Sequence, residues 1–249
     1  ASADLPNRKP VHSPVLSVPA RNLGSCRHGT GKPDLMTDII RQKNMTPADR
    51  GRLSAALYQG ALVVLPTDTV YGLACLATIP GAVQRIHEVK DRPRDKPVAL
   101  VFSSIEQIFT TIPDLPVILQ SALGKLLPGP VTAIIPFEEG TGGIEAHGAG
   151  GIGVRIVPSP AGDIYNELPG PLAVTSANLS GQPDTSVVGE IPEKILAVCD
   201  FVIDAGRCRH QVPSTVIDLR LLIAGAPPVI LRRGAMSREE IEERTGWSE

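Results

Sequence analysis

The stretch Gly60-Ala61-Leu62-Val63-Val64-Leu65-Pro66-Thr67-Asp68-Thr69-Val70-Tyr71-Gly72-Leu73 constrains the fold more than any other. Leu62 to Leu65 is an unbroken aliphatic run, which suits a strand covered on both faces, so layers are needed above and below it. Pro66 has no amide hydrogen and closes the ladder. Thr67, Asp68, Thr69 and Tyr71 follow at once, where sheet proteins place binding loops. Two readings stand at this point. The group is either a site carried on a strand end or a tight turn in which Asp68 and Thr69 bond their own backbone.

Similar signals recur along the chain and alternate between strand and helix. Thr46-Pro47-Ala48-Asp49 predicts a helix start, Leu53, Ala56 and Leu57 share its inner face, and Gly60 stops it. Further helices are predicted over 80–89, after Ser104, over 116–127, 163–168 and 190–199, and after Ser237. Ser104 with Gln107 and Ser237 with Glu240 read as capping boxes. Strands are predicted over 98–102, 131–136, 152–157, 172–175, 201–203, 215–219 and 229–231. The expected class is α/β, with one folded domain from 46 to 249. Gly148-x-Gly150-x-x-Gly153 matches the dinucleotide fingerprint literally, but an irregular stretch precedes it and a strand follows it, so the glycines read as a flexible loop.

Charge is divided unevenly. Residues 1–45 hold seven Lys and Arg against three Asp, net +4, which leaves the remainder at −6. The segment from Ala1 to about Met36 is rich in Pro, Ser and Gly without periodicity, so residues 1–45 read as a disordered basic extension, with an organelle-targeting remnant as the alternative. An acidic body argues against a broad nucleic-acid footprint. No apolar run approaches the length of a membrane span, so no membrane partner is expected. Cys26, Cys75, Cys199 and Cys208 form no C-x-x-C pair and lack histidines at zinc spacing. Reduced thiols in a cytoplasmic setting and no protein-held metal are expected.

Several predicted strands end in polar groups: Thr67 to Tyr71, Ser176 to Ser180, Ser214-Thr215 and Arg232. The loop Lys90 to Pro97 adds four cations and two acids beside them. Cations with hydroxyls, and no evident Ser-His-Asp set, suit an anionic ligand better than hydrolysis. Taken alone, the Lys/Arg loop also reads as a solvated face balanced by Asp91 and Asp95.

Seven motifs then stand in one order: Pro66-Thr67-Asp68-Thr69-Val70-Tyr71-Gly72-Leu73, Lys90-x-Arg92 running on to Lys96-Pro97, Pro128-Gly129-Pro130-Val131-Thr132, Gly153-Val154-Arg155, Thr175-Ser176-Ala177-Asn178-x-Ser180-Gly181, Ser214-Thr215-Val216-Ile217-Asp218 and Leu231-Arg232-x-Gly234. Together they resemble the YrdC/TsaC family of threonylcarbamoyl-AMP synthases over about residues 47–246. The resemblance implies a twisted mixed sheet with flanking helices around a concave, positively lined cavity, in a short single-domain form.

It also implies a nucleotidyltransferase reaction, in which L-threonine, bicarbonate and ATP, with Mg2+, give threonylcarbamoyl-AMP and pyrophosphate. The product would serve the N6-threonylcarbamoyl mark on adenosine 37 of tRNA through a downstream transferase. Carried over motif by motif, Lys90, Arg92, Ser176 and Asn178 form the implied catalytic set. Thr67, Thr69 and Tyr71 shape the threonine pocket, and Lys90, Arg155, Ser214 and Arg232 face the nucleotide. Asp68 joins the ion or caps a turn. Two competing functions are a double-stranded RNA or tRNA-binding module and a carbamoyl-adenylate enzyme serving another acceptor.

Overall fold

The computed structural model of the chain describes residues 37–93, 96–138, 140–144 and 150–247. The expected extension before residue 37, Cys26, Asp95 and Gly148 therefore lie outside the described residues. Contacts divide the chain into a unit over 1–34 and a unit over 35–249, and all that follows concerns the second.

Order begins earlier than the sequence predicts. Strand β1 (Asp38–Arg41) lies in the stretch assigned to the extension, and it pairs in parallel with a strand over Phe201–Asp204. Its four residues alternate between half-buried and exposed, the pattern of an edge strand. Helix α1 (Pro47–Tyr58) starts as predicted. The Thr46 hydroxyl accepts from the Asp49 amide, and the Asp49 carboxylate accepts from the Thr46 amide, so two orphan donors are satisfied. Leu53 and Leu57 are fully buried, and each contributes about 1.5–3 kcal/mol through removal from water. Gly60 then takes φ +81°, a conformation open to glycine at little cost.

The remaining strands in chain order are β2 (Val63–Leu65), β3 (Gly72–Leu76), β4 (Ala99–Phe102), β5 (Val131–Ile135), β6 (Ile152–Ile156), β7 (Leu172–Ser176), β8 (Phe201–Asp204), β9 (Thr215–Asp218) and β10 (Val229–Arg232). Between them run α2 (Ala82–Val89), α3 (Ile105–Thr111), α4 (Val117–Leu126), the single turn α5 (Glu193–Leu196) and the terminal α6 (Arg238–Thr245). All ten strands form one mixed sheet in the order β1-β8-β2-β3-β7-β4-β6-β5-β9-β10. Gly153 serves β6 rather than a phosphate turn, since it lies inside the strand opposite Ile134.

Three local expectations change. The helix expected over 190–199 shrinks to α5 because Pro192 lacks an amide donor and sets its start. The Ser104 and Ser237 hydroxyls cap α3 and α6, but neither box closes. Gln107 Oε1 accepts from the Ser103 amide instead, and Glu240 accepts from Arg244.

Strand alternation sorts the core into two layers. One face carries Leu62, Val64, Leu73, Leu100, Phe102, Ala133 and Val154 against α2, α3 and α4. The opposite face carries Val63, Leu65, Ala74, Val174, Phe201 and Ile203 against α1 and a 3-10 turn over Ala161–Glu167. This second layer runs from β8 across β2, β3 and β7 as far as Val101 of β4. Beyond it, β4, β6, β5 and β9 turn Ala99, Gly153, Thr132, Ile134 and Val216 toward a cavity instead of a helix. No helix among the described residues is long and apolar enough to cross a membrane.

Candidate active site

The cavity on the uncovered sheet face has a volume of about 270 Å3. Eight residues singled out in the sequence line it: Thr67, Thr69, Tyr71, Arg92, Arg155, Ser176, Ser214 and Arg232. They come from six separate segments. What gathers them is the register of the central strands, which sets Gly72 opposite Ser176 and Val101 opposite Arg155.

The floor is kept low by small residues. A Cβ on Gly153 would stand 2.7 Å from the Thr132 methyl, and one on Gly72 would stand 2.6 Å from Val174 Cγ1, both inside contact distance. Thr132 Oγ1 meets Ser214 Oγ at 2.8 Å, and the Arg232 guanidinium donates to Ser214 O at 2.8 Å. That end of the cavity is thus a hydrogen-bonded cluster of one guanidinium and two hydroxyls.

The turn after β2 is closed by Thr67, rather than by the Asp68 and Thr69 side chains that the turn reading names. Thr67 Oγ1 donates to Val70 O at 2.6 Å and accepts from the amides of Thr69 and Val70, so its hydroxyl closes the turn while the residue lines the cavity. Tyr71 also lines the cavity, but its hydroxyl donates to Gly206 O at 2.7 Å and accepts from the Ala205 amide at 3.0 Å. Burial raises the Tyr71 pKa further, so the group stays a neutral phenol tying β3 to the exit of β8. Tyr71 thus borders the cavity while its hydroxyl is turned to the backbone at 205–206.

Asp68 neither caps the turn nor reaches the cavity. It forms a buried ion pair with Arg155, and the same guanidinium donates to Thr69 Oγ1 at 2.9 Å. Arg155 is therefore half of a neutral pair, rather than the free nucleotide-facing cation that the sequence suggests.

Lys90 and Asn178 stand behind the wall. Lys90 is 2% exposed, and its ammonium donates to Ser176 O, to Asn178 O at 2.6 Å and to Asn178 Oδ1 at 3.0 Å. All three N-H donors are spent on the loop after β7, so the expected contact from Lys90 to phosphate is corrected to a hold on that loop. Ser176 Oγ donates to Asn178 Oδ1 at 2.6 Å, and Asn178 Nδ2 donates to Gln182 O at 2.6 Å. Burial first, and the neighbouring Arg92 charge second, lower the Lys90 pKa from 10.5 to about 8.

Arg92 remains at the cavity edge. One of its amino groups donates to Pro97 O at 2.9 Å, while Nε is buried with no hydrogen-bond partner among the described residues. Two lining residues were missed in the sequence reading. Asp184 is the sole carboxylate among the described lining residues, and its charge acts on both Lys90 and Arg232. Its place six residues after Asn178, in the loop that Lys90 ties down, was the available signal. Thr132 sat in a quoted motif without a role. No group of three or more His, Cys, Asp or Glu able to hold a metal occurs among the described residues.

Comparison with known proteins agrees with this architecture. Residues 55–234 match the Sua5/YciO/YrdC family model, whose description reads telomere recombination. A threonylcarbamoyl-AMP synthase of Pyrococcus abyssi is 35% identical over 216 residues, covering 85% of this chain and 62% of that protein. A putative threonylcarbamoyl-AMP synthase of Methanocaldococcus jannaschii is 34% identical over 192 residues, 74% of this chain and 89% of that protein. Among solved structures, P. abyssi Sua5 complexed with L-threonine aligns with a TM-score of 0.71 at 32% identity, covering 85% of this chain and 61% of that one. The chain thus spans less than two thirds of the length of the P. abyssi proteins.

Proposed function

The chain belongs to the Sua5/YciO/YrdC family, and from that premise we propose that it condenses L-threonine, bicarbonate and ATP into L-threonylcarbamoyl-AMP and pyrophosphate. The observation that carries the reading is the convergence of the Arg92 and Arg232 guanidinium groups with Ser176 and Ser214 on one cavity, from four different segments.

The chemistry asks for such a lining. The threonine nitrogen takes up the carbon of bicarbonate, with loss of water, to form a carbamate. A carbamate oxygen then attacks the α-phosphorus, the bond from that phosphorus to the bridging oxygen breaks, and pyrophosphate leaves. Carbamate, carboxylate and triphosphate crowd together at that step, so fixed cations and well-placed donors lower the barrier more than acid-base groups do. Arg92 and Arg232 serve as bidentate clamps for carboxylate or phosphate oxygens. Ser176 and Ser214 offer hydroxyl donors, and Thr69, held by Arg155, borders the threonine end.

Lys90 acts one step removed. By fixing the Ser176 carbonyl and both oxygens of Asn178, it sets where Ser176 Oγ points. ATP would enter as its Mg2+ complex, with phosphate oxygens and water as the ion's main ligands and Asp184, the one carboxylate among the described lining residues, available to it. The free thiols of Cys75, Cys199 and Cys208 suit a reducing compartment such as the cytosol, where a downstream transferase would carry the product to tRNA.

Product analysis by mass spectrometry tests the reading. Incubation with ATP, bicarbonate and threonine should yield threonylcarbamoyl-AMP, and replacing threonine and bicarbonate by carbamoyl phosphate should yield no adenylate. Adenylate formed from carbamoyl phosphate alone would assign the chain to a different acceptor.

A further inference from the structure

Helix α2 ends at a residue whose backbone is uncommon for its type. Asp91 has φ +49°, in the left-handed region that glycine enters freely and other L residues enter at a cost. It stands between Lys90 and Arg92, the two cations that the site uses in different ways.

The hydrogen bonds show what this conformation does. The Lys90 amide donates to Ile86 O at 3.2 Å, in the ordinary helical pattern. The pattern then changes. The Asp91 amide donates to Glu88 O at 3.3 Å, and the Arg92 amide reaches back to His87 O at 2.9 Å. These two bonds form a Schellman cap, which calls for a left-handed residue at the position of Asp91. Pro93 follows Arg92, and its ring disfavours helical backbone at the residue before it, so the helix does not resume beyond the cap.

On either side of this turn the two cations part. Lys90 gives its carbonyl to the Ser180 amide at 3.4 Å and its ammonium to the loop after β7. Arg92 donates to Pro97 O at 2.9 Å and lines the cavity. A second contact also reaches Asp91. Its Oδ2 accepts from Lys194 Nζ of α5 at 2.6 Å, with side chains 76% and 51% exposed. A pair so exposed contributes little, so the backbone angle rather than the ion pair sets the turn.

We propose that Asp91 is a positioning residue for the adenylate-forming reaction: its left-handed backbone fixes the direction in which Arg92 leaves α2, and with it the place where the guanidinium meets an anionic substrate. Asp91 acts through Arg92, and the inference rests on the reaction proposed above. Aspartate tolerates the left-handed region better than most residues, whereas a β-branched side chain is a steric outlier there.

Asp91→Gly, Asp91→Val and Lys194→Met in the full chain test this with two readouts. One is pyrophosphate release dependent on threonine, bicarbonate and ATP. The other is hydrogen exchange at the Arg92 amide, which follows the bond to His87 O whether or not the chain turns over. Asp91→Val should lower kcat/KM by about tenfold or more and speed that exchange to a similar degree, with circular dichroism unchanged. Asp91→Gly keeps the angle and loses the carboxylate, so both readouts should stay within about threefold of the wild type, and Lys194→Met within about twofold. In an Arg92→Lys background, Asp91→Val should cost less than about twofold, because the guanidinium that the turn directs is already gone. A merely structural role would instead give equal losses in the two backgrounds. That equality, undiminished activity in Asp91→Val, or a loss in Asp91→Gly as large as in Asp91→Val overturns the proposal. If the wild-type chain releases no pyrophosphate, the reaction itself is misassigned, and unchanged exchange in Asp91→Val then overturns the role of Asp91 separately.

Discussion

Lys90 Nζ lies 3.0 Å from Asn178 Oδ1, and the same ammonium holds the Ser176 and Asn178 carbonyl oxygens. The two residues that read in the sequence as parallel members of the implied catalytic set are thus partners of each other. Together they form the support on which Ser176 is presented to the cavity.

Lys90→Met keeps the length and apolar stem of the side chain but removes three donors. It strands buried oxygens on the loop after β7, at a cost on the order of 3 kcal/mol in stability. Pyrophosphate release should fall at least a hundredfold, and the urea midpoint should drop without a change in the cooperativity of unfolding. A variant with normal turnover would remove the supporting role assigned to Lys90.

The alkaline limb of the pH profile reports on the same group. With its pKa lowered to about 8, Lys90 is an ammonium with three donors below that pH, and above it an amine that turns a lone pair toward oxygens. Turnover at saturating substrates should therefore be lost as the pH rises through about 8. Stability should move the other way. The unfolded chain keeps the proton up to the ordinary value of 10.5, so this group stabilises the fold progressively as the pH rises from about 8 to 10.5. A parallel fall of activity and urea midpoint would contradict this assignment.

Asp68→Ala leaves the buried Arg155 charge without its counter-ion and should cost about 3–5 kcal/mol. Adding Arg155→Leu removes the uncompensated charge, so the double variant should unfold at a higher urea concentration than Asp68→Ala alone. Strict additivity of the two losses would mean that the pair contributes nothing beyond its separate parts.

Gly153→Ala should fill the cavity floor. Its Cβ would stand 2.7 Å from the Thr132 methyl, an overlap that costs about 1–3 kcal/mol and raises the KM for ATP. Thr132→Ser removes that methyl and keeps the hydroxyl that meets Ser214, so the double variant should recover stability. Failure of the rescue would place the strain elsewhere.

The strands were legible because aliphatic runs such as Leu62 to Leu65 leave few alternatives to a doubly covered strand. β1 was not, since Asp38-Ile39-Ile40-Arg41 is short, half exposed and recognisable only through its pairing with β8, some 160 residues away. The site was legible by residue type but not by direction. Lys90 looks like a free charge until its acceptors, two of which are backbone carbonyls, come into view. The Asp68–Arg155 pair joins residues 87 positions apart, and the successive registers from β2 through β3, β7 and β4 to β6 bring Arg155 to the turn after β2.

Pyrophosphate release by the purified chain, measured with each substrate omitted in turn, addresses the central claim most directly. The account predicts release only when ATP, bicarbonate and L-threonine are all present, and its loss in Arg92→Ala with circular dichroism unchanged. Release that proceeds without threonine, or that survives Arg92→Ala undiminished, would contradict it.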